Sequence, residues 1–158
     1  MSAVVSDTSP LHYLVECDAI EILPALFQEV LIPPTVFREL QHAKTPHNVR
    51  TWAQNLPAWI KVQSPTVLDN SLNVDEGEKE AICLAREVGA IAILMDDRRG
   101  RAEAVKNGLR VAGTIGLIEA GAQRGLLNLT VTIQKLRQTN ARLDDELIQA
   151  LLDRHLKR

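Results

Sequence analysis

Aromatic side chains are scarce in this chain: two Trp, one Tyr and two Phe among 158 residues, or 3%. The core must therefore be aliphatic, drawn from the Leu, Ile, Val and Ala of a 46% apolar composition. Stacking platforms for single-stranded bases normally use aromatic rings, so the composition argues against that mode of nucleic-acid binding. Charge of one sign is also lacking. Lys and Arg number 18 against 20 Asp and Glu, a net charge of −2, so any basic surface has to be local. The two cysteines, Cys17 and Cys83, lie far apart and fit no metal spacing. They read as reduced and buried, which suits the cytoplasm. No apolar run is long enough to span a membrane, and no charged n-region precedes a long h-region. The expected location is cytoplasmic, with no membrane partner. Repeats, low-complexity stretches and linkers are absent too. The length favours one domain, residues 1–158, with an α/β core over about 1–127 and C-terminal helices over about 128–158. Such a domain buries about 70% of its unfolded surface and needs no disulfide or metal to fold.

What is present alternates. "SAVVSD" reads as a buried strand, and "SP" after it as a helix start with Ser9 as N-cap and Pro10 at the first helical position. "EVLIP" is a second strand, "AIAILM" a third and "LRVAG" a fourth, while "WIKVQSP" is a weak strand or loop. Helices fall between them, the clearest being "DEGEKEAICLAREVG", closed by Gly89. Strands alternating with helices predict an α/β fold, three layers α/β/α around a central, mostly parallel sheet. The helical tail carries an apolar stripe of Leu143, Leu147, Ile148, Leu151 and Leu152. It could cover the sheet, form a dimer or take a partner protein.

Several acids stand in costly places. Asp7 ends the first strand and Asp96 the third, and ligands of open parallel sheets bind outside such strand ends. Capping the following helices is the competing role for Asp7 and for the Asp96–Asp97 pair. Glu78 begins the helical stripe continued by Ala81, Ile82 and Ala85, so its carboxylate faces the core and needs a compensating partner. Asp75 and Glu78 also have capping-box spacing. Glu39 lies between Val36 and Leu40 on a buried arc, where a packed stem with a wet head is common. Carboxylates meeting at one rim repel, and some must shift their pKa upward. A divalent cation removes the repulsion. All-oxygen donors completed by water suit Mg²⁺ or Mn²⁺, and the four histidines do not cluster as zinc would require. On this reading Asp7→Asn or Asp96→Asn should raise stability in the absence of metal.

Read in order, "SDTSPL", "PPTVFREL", "DEGEKEAICLA" and "AILMDDRRGR" resemble the PIN-domain superfamily of metal-dependent nucleases. "GEKEAICLA", "LMDDRRGR", "VAGTIGLI" and the tail resemble one prokaryotic subgroup of it, the DUF3368 type, related to VapC-like toxins. The resemblance covers nearly the whole chain. It implies that Asp7, Glu39, Glu78 and Asp96 are catalytic and, with Asp97, hold one or two Mg²⁺ or Mn²⁺ ions. Two departures stand out: Glu78 replaces a more frequent Asp, and Leu94 stands where a Thr often lies two residues before the fourth acid.

For an RNA phosphodiesterase, Ser9 would bond a phosphate or a bound water, Thr8 would orient Asp7, and Arg98, Arg99 and Arg101 would contact substrate. Those arginines sit at a helix N-terminus, which opposes the macrodipole by a few tenths of a kcal/mol each. Solvated arginines on a surface helix are the alternative. The resemblance implies a ribonuclease, with an antitoxin-like inhibitor protein and a second copy of the chain as expected partners. Three rivals stay open: a PIN-like module that binds nucleic acid or protein without cutting, a phosphotransfer domain, and a helical interaction protein acting through its tail. Phosphotransfer receivers place their acid pair after the first strand, whereas here the pair comes late.

Overall fold

A computed structural model describes residues 3–156. Strand β1 (Ala3–Ser6) leads into helices α1 (Thr8–Glu16) and α2 (Ile22–Leu26). Strand β2 (Glu29–Ile32) is followed by α3 (Pro34–Leu40) and α4 (His47–Gln54), then β3 (Ile60–Val62). Helix α5 (Glu76–Val88), strand β4 (Ala92–Leu94), helix α6 (Arg98–Lys106) and strand β5 (Val111–Ala112) complete the sheet. Helices α7 (Thr114–Gln123), α8 (Leu129–Arg137) and α9 (Asp145–Leu156) form the tail. Ser2 of the first expected strand and Lys157 and Arg158 of the last expected helix lie outside the described residues.

The sheet is parallel throughout, in the order β3-β2-β1-β4-β5. The weak "WIKVQSP" segment supplies its edge strand. Two apolar layers follow from the period-two alternation of strand side chains. Val4, Val30, Ile32 and Leu94 face the larger layer, packed with Leu11, Leu14, Val36 and Leu40. Val5, Leu31, Ile93 and Met95 face the other, under Ala81, Ile82, Leu84 and Ala85 of α5. These strands are buried on both faces, so their sequence reads as continuous apolar runs. Tail residues Leu129, Ile133, Leu136, Ile148 and Leu151 join the larger layer, whereas Leu147 turns out to solvent at 49% exposure. The tail stripe is mainly core packing.

The first helix starts earlier than its Ser-Pro pair suggests. Asp7, not Ser9, occupies the N-cap position of α1, and Pro10 lies inside the first turn, where a missing N–H costs nothing. Pro34 heads α3 as expected. Asp75 caps α5, and Gly89 closes it in the left-handed region at φ 64°. A left-handed residue there favours glycine, because a Cβ would be strained.

Candidate functional site

Strand order changes direction between β1 and β4: the chain builds outward through β2 and β3 on one side, then returns to β4 and β5 on the other. Crevices at such a switch point are where open parallel sheets take ligands. Asp7 and Asp96 follow these two neighbouring strands, and the Asp7 N–H donates to the Leu94 carbonyl at 2.8 Å. Two acids distant in sequence are thereby placed side by side.

Asp7 is 8% exposed and its side chain makes no capping bond. Burial pushes its carboxyl up to about 7; the Thr8 amide opposes the shift, and the charges of Asp75, Glu39 and Asp96 add to it. Glu39 comes in from α3. The Thr8 hydroxyl donates to its Oε2 at 3.1 Å, so Thr8 orients Glu39 in place of Asp7. Burial also raises Glu39, partly offset by that bond, with Asp75 and Glu80 raising it further. Gly77 makes this approach possible. A Cβ there would stand 2.6 Å from Glu39 Oε1 and 3.7 Å from Asp7 Oδ1, so both carboxylates flank the same glycine.

Glu78 lies deeper, at 5% exposure. Its Oε2 is buried with no hydrogen-bond partner among the described residues. Burial pushes its carboxyl up to about 8, and the adjacent Asp75 carboxyl adds to the shift, followed by Asp7 and Asp97. The capping box is half formed: Asp75 Oδ1 accepts from the Glu78 N–H at 2.8 Å. Gly100, in the first turn of α6, gives Glu78 its room; a Cβ there would press on the Glu78 carboxylate and come within 2.6 Å of Met95 Sδ.

Asp96 is held differently. Its Oδ1 accepts from the Thr114 N–H and its Oδ2 from the Thr114 hydroxyl, both at 2.7 Å. Asp97 accepts from the Gly100 N–H at 3.0 Å and caps α6. An Asn at this position would keep both contacts, its Oδ1 accepting from the Thr114 N–H and its Nδ2 donating to the Thr114 hydroxyl oxygen.

The three arginines divide. Arg98 borders a cleft with Ser9, Asp96 and Asp97, and Arg99 borders another with Asp75, Glu78 and Asp97. Arg101 turns inward and donates from Nη1 to the Met95 carbonyl at 3.2 Å.

Asp75, Thr114 and Glu80 carry parts of this region that the sequence reading did not assign. The spacing of Asp75 shows a cap but not its charge on three other acids. Thr114 follows β5, the strand beside β4, and only pairing brings it to Asp96. Glu80 is 8% exposed and bonded by Thr35, whose hydroxyl also accepts from Arg38 Nη2 at 2.8 Å.

The donor chemistry fits a hard divalent cation: anionic, all oxygen and mutually repelling. Among the described residues no group of three or more His, Cys, Asp or Glu side chains is placed so that it could hold a metal ion. A hard cation such as Mg²⁺ usually takes only one or two carboxylates and fills its other positions with water and substrate phosphate.

No curated protein matches the chain. Among solved structures, a PilT N-terminus domain protein from the hyperthermophilic archaeon Sulfolobus solfataricus P2 is 16% identical, with a TM-score of 0.49 over 74% of this chain and 90% of that one. The family model described as DUF3368: PIN domain matches residues 3–157, and the chain belongs to this PIN-domain family.

Proposed function

We propose that the protein is a Mg²⁺- or Mn²⁺-dependent endoribonuclease. The observation that carries this reading is the placement of Asp7 and Asp96 after the paired strands β1 and β4 at the switch point, with the Glu39 and Asp7 carboxylates flanking Gly77. Asp7, Glu39 and Asp96 are the proposed ligands, Asp7 from its buried place at the end of β1, with Glu78 deeper and the exposed Asp97 beside them, partly through water. When bound, the cation lowers the pKa of a water and neutralises charge that develops on the phosphate. The chain's own side chains position the reactants. Thr8 fixes Glu39 and Thr114 fixes Asp96. Ser9 and Arg98 border the cleft beside Asp96, where they would bond phosphate oxygens. Water oxygen then bonds to phosphorus, and the departing sugar oxygen leaves with a proton.

A specific observation favours a second reading, a PIN-like module that grips nucleic acid or protein and cuts it weakly. Glu78 Oε2 is sealed beside Gly100, which withdraws one of the acids from the rim. Cleavage of a mixed RNA pool with and without Mn²⁺, using Asp7→Asn as control, separates the two readings. Metal-dependent cleavage lost in the variant supports the ribonuclease; binding with no cleavage supports the module.

The toxin role, with an antitoxin-like inhibitor as partner, belongs to the same proposal, as does a homodimer. Exposed Leu126, Val131, Leu147 and Leu156 on or beside the tail helices support a protein-binding face there. Sedimentation of wild type and Leu147→Ser with Leu156→Ser tests the dimer.

A further inference from the structure

Five aromatic residues are too few for an extended stacking platform, but a single ring can still face one base. The Phe and Trp residues pack against the larger apolar layer, as part of Tyr13 does. Tyr13 also lines the cleft that contains Asp96. This cleft measures about 670 Å³, within the range of small-molecule sites, about 300–1,000 Å³. Its apolar walls are Tyr13, Ile115 and Leu143, and Arg98 and Arg142 bring positive charge to it. The Tyr13 hydroxyl donates to Asn140 Oδ1 at 3.1 Å, joining α1 to the segment between α8 and α9. With its oxygen so engaged, the Asn140 amide keeps its N–H groups for an acceptor on a base edge.

We propose that this cleft is a nucleotide subsite: it takes the base of one single-stranded RNA nucleotide next to the scissile phosphate. Tyr13 supplies the ring surface, Asn140 reads an acceptor on the base edge, and Arg142 contacts the flanking phosphate. The proposal rests on the ribonuclease reading and assigns the tail a part in substrate choice. One cleft is lined by the acid, the apolar side chains and two cations. On this assignment the scissile phosphate goes to Asp96 and Arg98, the base to the apolar walls and the next phosphate to Arg142.

The test is binding of fluorescent eight-nucleotide oligouridylate and oligoadenylate to the full chain carrying Asp7→Asn, read by anisotropy. A single abasic site is walked through each oligonucleotide. One position is expected to weaken binding roughly 5- to 150-fold, the range for loss of one base–aromatic stack. Tyr13→Leu should weaken the intact oligonucleotide similarly and erase the abasic penalty, while Tyr13→Phe should keep the abasic penalty but, by releasing Asn140, narrow the difference between the two bases. Asn140→Ala should narrow the difference between the two bases. Arg142→Ala, on an exposed side chain, should flatten the salt dependence by about one unit of slope. RNA bound tightly with a flat abasic walk, or an abasic penalty that survives Tyr13→Leu, overturns the subsite and leaves the ribonuclease reading standing. No binding of any RNA by the full chain overturns both. The abasic walk needs no Tyr13 variant, so a Tyr13→Leu protein that fails to fold leaves the proposal open to refutation.

Discussion

Replacing Asp7 by Asn should stabilise the metal-free protein, and the gain should depend on pH in a specific direction. The Asp7 carboxyl moves from 3.8 to about 7 on folding, chiefly through burial. Below the lower value both states are protonated and the group contributes nothing. As pH rises, the unfolded chain ionises first, so the folded state loses stability progressively until the folded carboxyl ionises as well. At neutral pH and above, the loss amounts to about 4 kcal/mol as an upper figure. Asn keeps the shape and removes the ionisation, and unrelieved polar burial reduces the return to about 1–4 kcal/mol. For a chain of this length each kcal/mol shifts Tm by about 2–4 °C. Melting curves of wild type and Asp7→Asn in EDTA, from pH 3 to pH 9, should diverge as pH rises from about 4 to about 7 and then run parallel. Added Mg²⁺ should raise the wild-type Tm and close the gap, because a ligand of the folded state stabilises it. A variant whose Tm difference is the same at pH 3 and pH 8 would refute the argument that Asp7 carries repulsion and desolvation in the fold.

Asp96→Asn should cost less than Thr114→Val, because Asn Nδ2 can donate to the Thr114 hydroxyl whereas Val removes that bond for about 1–3 kcal/mol; urea melts of the two variants compare them. Gly100→Ala should cost about 1–3 kcal/mol by forcing the Glu78 carboxylate and Met95 apart, read by the same melts. Asp75→Asn keeps a good N-cap but removes a charge beside Glu78, so the Glu78 carboxyl should titrate below about 8 in a carboxyl-carbon NMR titration, with a modest rise in Tm at neutral pH. In a salt titration of RNA binding, Arg98→Ala and Arg99→Ala should each flatten the slope by about one unit, and Arg101→Ala should act instead through lost support of the Met95 carbonyl.

Sequence alone determined the alternation and the main faces. Val4 and Val5, Leu31 and Ile32, and Ile93 and Leu94 are adjacent apolar pairs that only a sheet covered on both sides can bury, so a layered α/β fold followed from local pattern. The stripe from Glu78 through Ala81, Ile82 and Ala85 likewise placed one carboxylate on the core side of α5, as its 5% exposure shows. Ser-Pro is a strong local signal for the start of α1, but the helix starts earlier, directly after a strand whose end is held by the Asp7 N–H bond to Leu94. Strand order was beyond local reading, since it depends on which apolar runs pair. With it went the neighbours of each acid. Thr114 meets Asp96 because β5 pairs with β4, Thr8 meets Glu39 because α3 folds back across α1, and Asn140 meets Tyr13 across most of the chain's length. Residue identity sets what a carboxylate can do. Tertiary packing sets its solvation and its neighbours, and these separate Asp7, raised to about 7 by burial, from Asp96, pinned by two short bonds.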